Sequence, residues 1–189
     1  MRTSWSRRRV ITGGLQLLLG GVLLVPAGPV SGQSNPGEGL TTIYLVRHAE
    51  RADDHPSDPT LTPAGSERAR ELARVLEDVP LDAIHSTDYR RTRLTAAPLA
   101  EEKGLEVELY DPSGPGMDEL GRTLRASGGY HLVVGHSNTT PALVDALGGA
   151  SVSPVAEDEY DRLYVVVLGP EGTVTSSLLR FGAEARGGS

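Results

Sequence analysis

Two histidines in this chain follow directly on apolar runs. Thr41-Thr42-Ile43-Tyr44-Leu45-Val46 leads into Arg47-His48, and Tyr130-His131-Leu132-Val133-Val134 leads into Gly135-His136. Both runs are apolar without clean alternation, the pattern of strands buried on two faces. In an open α/β sheet ligands gather outside the carboxyl ends of parallel strands, so His48 and His136 are expected at one edge. Arg91, just past a shorter apolar run at Ala83-Ile84-His85, is expected there too. A neutral imidazole can attack phosphorus, and guanidinium groups pair with phosphoryl oxygens. Arg47, Arg91, His48 and His136 together make a compact cationic pocket that a dianion such as a phosphate monoester satisfies. Helix N-termini after the strands add backbone N–H donors.

The other titratable residues invite plainer readings. His55, His85 and His131 are expected to be structural or surface groups, and Arg90 and Arg93 to be solvated helix arginines. Asp53-Asp54-His55, set among Pro and Ser, reads as a solvated loop rather than a metal site. No metal and no cofactor is expected.

The elements that must position the pocket can be traced along the chain. Residues 50–59 read as a loop. Thr62-Pro63 supplies a helix N-cap with proline in the first turn, followed by Ala69, Leu72, Ala73, Val75 and Leu76 at helical spacing to about Asp78. Asp88 is the expected cap of a second helix running to Lys103 and stopped by Gly104. Leu105 to Tyr110 reads as a strand, Met117 to Ala126 as a short helix, and Thr139 to Leu147 as another helix. Leu163–Leu168 and Val174–Phe181 read as a terminal hairpin. Strands alternating with helices predict an α/β three-layer sandwich, with a mostly parallel central sheet and the antiparallel C-terminal hairpin at its edge.

Composition narrows the functional classes. The 189 residues are about one domain's worth of chain, and 38% hydrophobic with 23% charged residues excludes long disorder and a multi-span membrane protein. With no cysteine, a disulfide scaffold, a thiol nucleophile and a lipidated cysteine are excluded. A net charge of −7 argues against a nucleic-acid partner.

Residues 1–32 have the layout of a signal peptide: Arg2, Arg7, Arg8 and Arg9 without acidic residues, an apolar run from Val10 to Val25 interrupted by glycines, then a Pro/Gly/Ser stretch. Ser6-Arg7-Arg8-Arg9-Val10-Ile11 is similar to the twin-arginine export signal, with the general secretory route as the alternative. Cleavage is placed near Gln33, residues 33–40 read as a flexible linker, 41–182 as the folded domain and 183–189 as a disordered tail. The expected location is periplasmic or extracellular, with membrane association only through an uncleaved signal. Loss of the four arginines takes the net charge from −7 to −11, so a basic pocket in the mature protein must be locally built.

The motifs resemble a family. Tyr44-Leu45-Val46-Arg47-His48-Ala49-Glu50 resembles the Arg-His-Gly/Ala signature of the histidine phosphatase (phosphoglycerate-mutase-like) superfamily, and Leu61-Thr62-Pro63-Ala64-Gly65 its Leu-Thr-x-x-Gly. Residues Ser86 to Ala96 are similar to its Ser-x-x-x-x-Arg-x-x-x-Thr-Ala segment, which aligns Arg91 with the functional arginine. Val134-Gly135-His136-Ser137-Asn138 resembles its second-histidine motif.

The resemblance implies a metal-independent phosphatase in which His48 forms a phosphohistidine that water hydrolyses, with Arg47, Arg91 and His136 holding the phosphoryl group. Arg51, Ser137 and Asn138 are implied as substrate-binding residues. The partner implied is a phosphorylated small molecule or a phosphoprotein.

A proton donor is harder to place. The acid phosphatase branch puts an Asp after its second histidine where Ser137 stands, and the mutase-type Glu has no clear counterpart. Asp53, Asp54, Asp58, Asp111, Asp118 and Glu119 are the candidates, none compelling. Small compact members resembling phosphohistidine phosphatases share that lack. A phosphoglycerate-mutase-type phosphotransferase and a non-catalytic phosphate-binding protein stay open as alternatives, as does the oligomeric state.

Overall fold

The computed structural model describes residues 39–184. The readings of residues 1–32, of most of the linker and of the end of the tail lie outside the described residues. Six strands and four helices alternate in the order β1 (Thr41–Arg47), α1 (Pro63–Val75), β2 (Ala83–Thr87), α2 (Arg90–Lys103), β3 (Val107–Tyr110), α3 (Gly114–Ser127), β4 (Gly129–Gly135), α4 (Thr139–Ala146), β5 (Arg162–Leu168) and β6 (Val174–Arg180). They build one mixed sheet in the order β3-β2-β4-β1-β5-β6. The first four are parallel where they pair. Strand β5 runs antiparallel to β1, and β6 closes the hairpin at the edge.

The period of two along each strand divides the core into two layers. Val46, Ile84, Leu132, Val134 and Leu163 face α1 and α2, where they meet Leu72, Leu76, Ala96 and Leu99. Ile43, Leu45, Val133, Tyr164 and Val166 face α3 and α4, where they meet Leu120, Leu124, Leu143 and Leu147. Helices on both faces thus bury the apolar runs that showed no alternation, which is the expected three-layer sandwich.

Element ends depart from expectation where capping chemistry is local. Helix α2 begins one residue later than a cap at Asp88 requires: Tyr89 is the N-cap, without a side-chain bond, and the Asp88 carboxylate pairs with Arg93 at 3.2 Å. Helix α3 begins at Gly114 and takes in Pro115, whose fixed φ suits a first turn; the Pro/Gly composition there reads as loop. Helix α1 ends at Val75, short of Asp78. Thr62 caps it as expected, accepting from the Gly65 N–H at 3.0 Å.

This topology sets the site. From β1 the chain crosses to β2 and on to β3, and it returns to place β4 directly beside β1. After β4 it moves to the opposite side of β1. The carboxyl ends of β1 and β4 therefore flank the point where the strand order reverses, the place where open α/β sheets bind ligands.

Candidate active site

Registry brings the two histidines together. Arg47 pairs with Gly135 across β1 and β4, and the His48 N–H donates to the Gly135 carbonyl at 2.9 Å. The imidazoles of His48 and His136 end with ring centroids 5.5 Å apart, edge to face. All the site residues expected from sequence, Arg47, His48, Arg51, Arg91, His136, Ser137 and Asn138, line one open cavity of about 500 Å³.

His48 is held in one tautomer. Its Nδ1 lies 2.8 Å from the Ala49 carbonyl oxygen; a carbonyl only accepts, so Nδ1 carries the proton and Nε2 keeps its lone pair. Burial depresses the pKa of the ring to about 3, and the positive charges of Arg47 and Arg91 and the neighbouring His136 act in the same direction against the Ala49 bond. At neutral pH the ring is uncharged and Nε2 is free to act as a nucleophile.

The two arginines are anchored differently. Nη1 of Arg47 lies 2.8 to 3.0 Å from the carbonyl oxygens of Ala156, Glu157 and Glu159, and its guanidinium stacks 4.2 Å from the Tyr160 ring centre. Arg91 stacks 4.3 Å from the Tyr89 ring centre and approaches Asp58 at 4.0 Å. Among the described residues the buried side-chain nitrogens and oxygens without a hydrogen-bond partner are Nε of Arg47 and Nε of Arg91. The protein supplies these two donors with no acceptor, whereas an anion carrying several oxygens offers acceptors to both.

Arg90 and Arg93 behave as expected of solvated helix residues. Their side chains are 45% and 50% exposed, against 14% for Arg91. Arg51 lines the cavity from an isolated bridge with Leu61. Ser137 and Asn138 stand at the start of α4, where helix-end amides and the dipole favour an anion. His136 is fixed by Thr87 Oγ1, 3.0 Å from its Nε2. Burial, then the charges of Arg91 and Arg47, lower its pKa to about 4.

Two carboxylates, Asp111 and Glu157, line the cavity, and Glu157 lies 3.8 Å from Arg47 Nη2. Of the six weighed from sequence, only Asp111 lines the cavity, and bonds from the Ser113 amide and hydroxyl hold its carboxyl below the usual range. Asp54 is tied to Thr60 in the same way. Nδ1 of His55 accepts from the amides of Ser57 and Asp58, so the Asp53-Asp54-His55 stretch organises its own loop. Among the described residues no group of three or more His, Asp or Glu converges as a metal ligand set, and no helix is long and apolar enough to cross a membrane.

Sequence reasoning missed Tyr89, Tyr160 and Glu157, which flank or line the cavity. Tyr160 and Glu157 belong to an irregular segment between α4 and β5, and no periodicity or motif there signals a site. Tyr89 lies inside the matched Ser86–Ala96 segment, and its aromatic ring between two charged stretches was the available clue.

The family described as the histidine phosphatase superfamily (branch 1) matches residues 43–112. Over 75 residues the chain is 40% identical to phosphoserine phosphatase 1 of Hydrogenobacter thermophilus, covering 36% of this chain and 35% of that protein. Over 79 residues it is 35% identical to a probable phosphoglycerate mutase of Escherichia fergusonii, covering 39% and 36%. The match thus spans about a third of the length of these curated relatives. Among solved structures, the protein histidine phosphatase SixA complexed with tungstate superposes with a TM-score of 0.60 at 20% identity, over 74% of this chain and 96% of that one. Phosphoglycerate mutase from Bacillus anthracis gives 0.57 at 16% identity, over 76% and 94%. At these identities the structural likeness speaks for the fold.

Proposed function

We propose that the chain, whose residues 43–112 match the histidine phosphatase superfamily (branch 1), is a metal-independent phosphatase working through a phosphohistidine at His48. The observation that carries the reading is the His48 tautomer: Nδ1–H held by the Ala49 carbonyl and Nε2 unprotonated, in a cavity that Arg47 and Arg91 also line. Nε2 attacks phosphorus, the bond from phosphorus to the leaving group breaks, and the leaving group departs with the electron pair. Water then attacks the phosphorus of phospho-His48 and the nitrogen–phosphorus bond breaks, releasing inorganic phosphate. Arg47, Arg91 and the α4 N-terminus stabilise the charge on the transferring group, the main demand of phosphoryl transfer.

The carboxylates support a choice of substrate class. Of the two carboxylates that line the cavity, Asp111 is held ionised by Ser113 and Glu157 faces the Arg47 guanidinium at 3.8 Å, whereas an alkyl phosphate needs a positioned acid to protonate its leaving group. Aryl phosphates, acyl phosphates and phosphoramidates such as phosphohistidine make less demand. The reading therefore favours a phosphoprotein or a small phosphorylated molecule of those classes over a sugar phosphate.

Rapid acid-free quenching with labelled aryl phosphate tests it. Wild type is expected to carry an acid-labile, alkali-stable phosphoryl label that His48→Ala lacks. Label persisting in the mutant overturns the nucleophile assignment, and phosphate binding without turnover identifies a binding protein instead.

Export is a further part of the proposal, supported by the four arginines and the apolar run of residues 1–32. A mature N-terminus near Gln33 outside the cytoplasm is expected from N-terminal sequencing. A product retaining Met1 removes this part and leaves the catalytic reading intact.

A further inference from the structure

Resting on the reading of His48 as nucleophile, we propose that Arg68 is a positioning residue, which holds the His48 tautomer through Glu50 and is itself seated by the C-terminal segment Phe181–Ala183. Nothing in the reaction touches Arg68. It lies on α1, is buried, and is absent from the lining of the cavity that holds His48.

The route begins at the carbonyl that sets the tautomer. Ala49 C=O belongs to the peptide joining Ala49 to Glu50, so any rotation of that peptide withdraws the acceptor from Nδ1. Three contacts oppose rotation along the backbone. The Ala49 N–H donates to Thr95 Oγ1 on α2 at 2.9 Å, and the Glu50 carbonyl accepts from the Thr62 N–H at 2.9 Å. Gly65 lies so close that a Cβ there would stand 2.4 Å from the Glu50 oxygen, which explains the glycine of the Leu61–Gly65 motif.

Arg68 adds the side-chain grip. Its Nε lies 3.1 Å from both Glu50 carboxylate oxygens and its Nη2 lies 2.8 Å from Oε1, a forked pairing that fixes orientation as well as distance. The opposite edge of the guanidinium faces the segment that follows β6. Nη1 donates to the Phe181 carbonyl at 3.0 Å and Nη2 to the Ala183 carbonyl at 2.9 Å. Between them Gly182 has φ +69°, and a Cβ on it would meet Nη1 at 2.9 Å. Left-handed backbone and a missing side chain are both needed for the strap to lie over Arg68. All three guanidinium nitrogens are thereby used, and the segment Phe181–Ala183 is mechanically connected to the loop that carries the nucleophile.

Removing one partner of a largely buried ion pair also destabilises the fold, so loss of stability alone does not distinguish positioning from support. The imidazole ¹⁵N shifts of His48 do, because they report which nitrogen carries the proton. The full-length wild type is expected to show one neutral tautomer with Nδ1 protonated. Arg68→Met, and Arg68→Lys, which keeps the charge without the fork, are expected to show a mixture of tautomers. Their kcat toward an aryl phosphate should be about tenfold lower, the scale on which an outer partner of a functional histidine acts, with KM little changed.

Gly182→Val, which displaces the strap and leaves Arg68 in place, is expected to shift both readouts in the same direction. It serves as the deciding variant if Arg68→Met fails to fold. A single unchanged tautomer in the folded variants, with only the melting temperature lowered, overturns the proposal. The NMR readout needs no turnover, so loss of the phosphatase reading through an active His48→Ala would leave the tautomer result standing on its own.

Discussion

Oγ1 of Thr87, the last residue of β2, receives the proton of His136 Nε2 across 3.0 Å. The direction follows from its neighbours. The single proton of Thr92 Oγ1 is directed to the carbonyls of Thr87 and Tyr89, each 2.9 Å away, which leaves Thr92 Oγ1 to accept from Thr87 Oγ1 at 3.0 Å; Thr87 then accepts from His136. The other ring nitrogen, Nδ1, lies 3.5 Å from Nη2 of Arg91, which can only donate. Without an anion, His136 offers the cavity a lone pair, not a proton.

This makes the entry of an anion a protonation event. A dianion between Arg47 and Arg91 offsets the charges that help hold the His136 pKa at about 4, and it offers an acceptor at Nδ1. The folded-state pKa then rises and the ring takes up a proton. Sulfate, a dianion throughout this range, is expected to bind more tightly as pH falls from 7 to 5, by up to about tenfold per unit. Calorimetry in buffers of different ionisation enthalpy should show proton uptake approaching one per anion, absent in His136→Gln. Binding that is independent of pH and proton-neutral would remove His136 as a donor to the phosphoryl group.

The arginines of α2 offer a register test within four residues. Arg91 stacks on Tyr89 beside the cavity, while Arg90 reaches toward Asp54 and Arg93 toward Asp88 in solvent. Arg91→Ala should lower kcat/KM by on the order of a hundredfold, as expected for loss of one charge-stabilising donor. Arg90→Ala should have a small effect, traceable to the loop of Asp58, and Arg93→Ala none beyond that of a surface ion pair. Similar losses at all three positions would mean that local helix structure, not the phosphoryl contact, is being measured.

What could be read in advance divides along physical lines. The strands of β1 and β4, the placement of His48 and His136 after them and the register of Arg91 follow from patterns that depend on one stretch of chain at a time. Burial on both faces writes itself as an uninterrupted apolar run, and a helix start as Thr62-Pro63. Tyr160, Glu157 and the carbonyls that grip Arg47 come from an irregular segment more than a hundred residues away, where only the folded topology creates proximity. The role of Ala49 as proton acceptor was equally hidden, since any residue has a carbonyl. The sequence asks for a fixed acceptor at His48; the geometry of one peptide supplies it.

The segment that grips Arg47 is in turn fastened by Glu159. The Glu159 carboxylate bonds Arg162 at 2.6 and 2.7 Å and Arg180 at 3.0 Å, while its backbone carbonyl faces Arg47. Bonds from Arg162 lower its pKa to about 2 against the partial burial that would raise it, with Ala156 N–H and Arg180 assisting. A depressed carboxylate pKa stabilises the fold above its unfolded value near 4.5 and stops doing so as pH falls toward 2. The histidines act earlier on the same scale. His48 and His136, depressed to about 3 and 4 from 6.5, bind protons more readily unfolded, so their contribution is complete above 6.5 and declines below it. Melting temperature should therefore fall in two stages on acidification, first from about pH 6.5 and again below about 4.5. Glu159→Gln should remove most of the second stage, lower stability at pH 7 by about 3 kcal/mol as a largely buried ion pair is broken, and weaken sulfate binding through Arg47. A full second stage in Glu159→Gln would assign the acid transition to other carboxylates, and unchanged sulfate affinity would detach the loop from the function of Arg47.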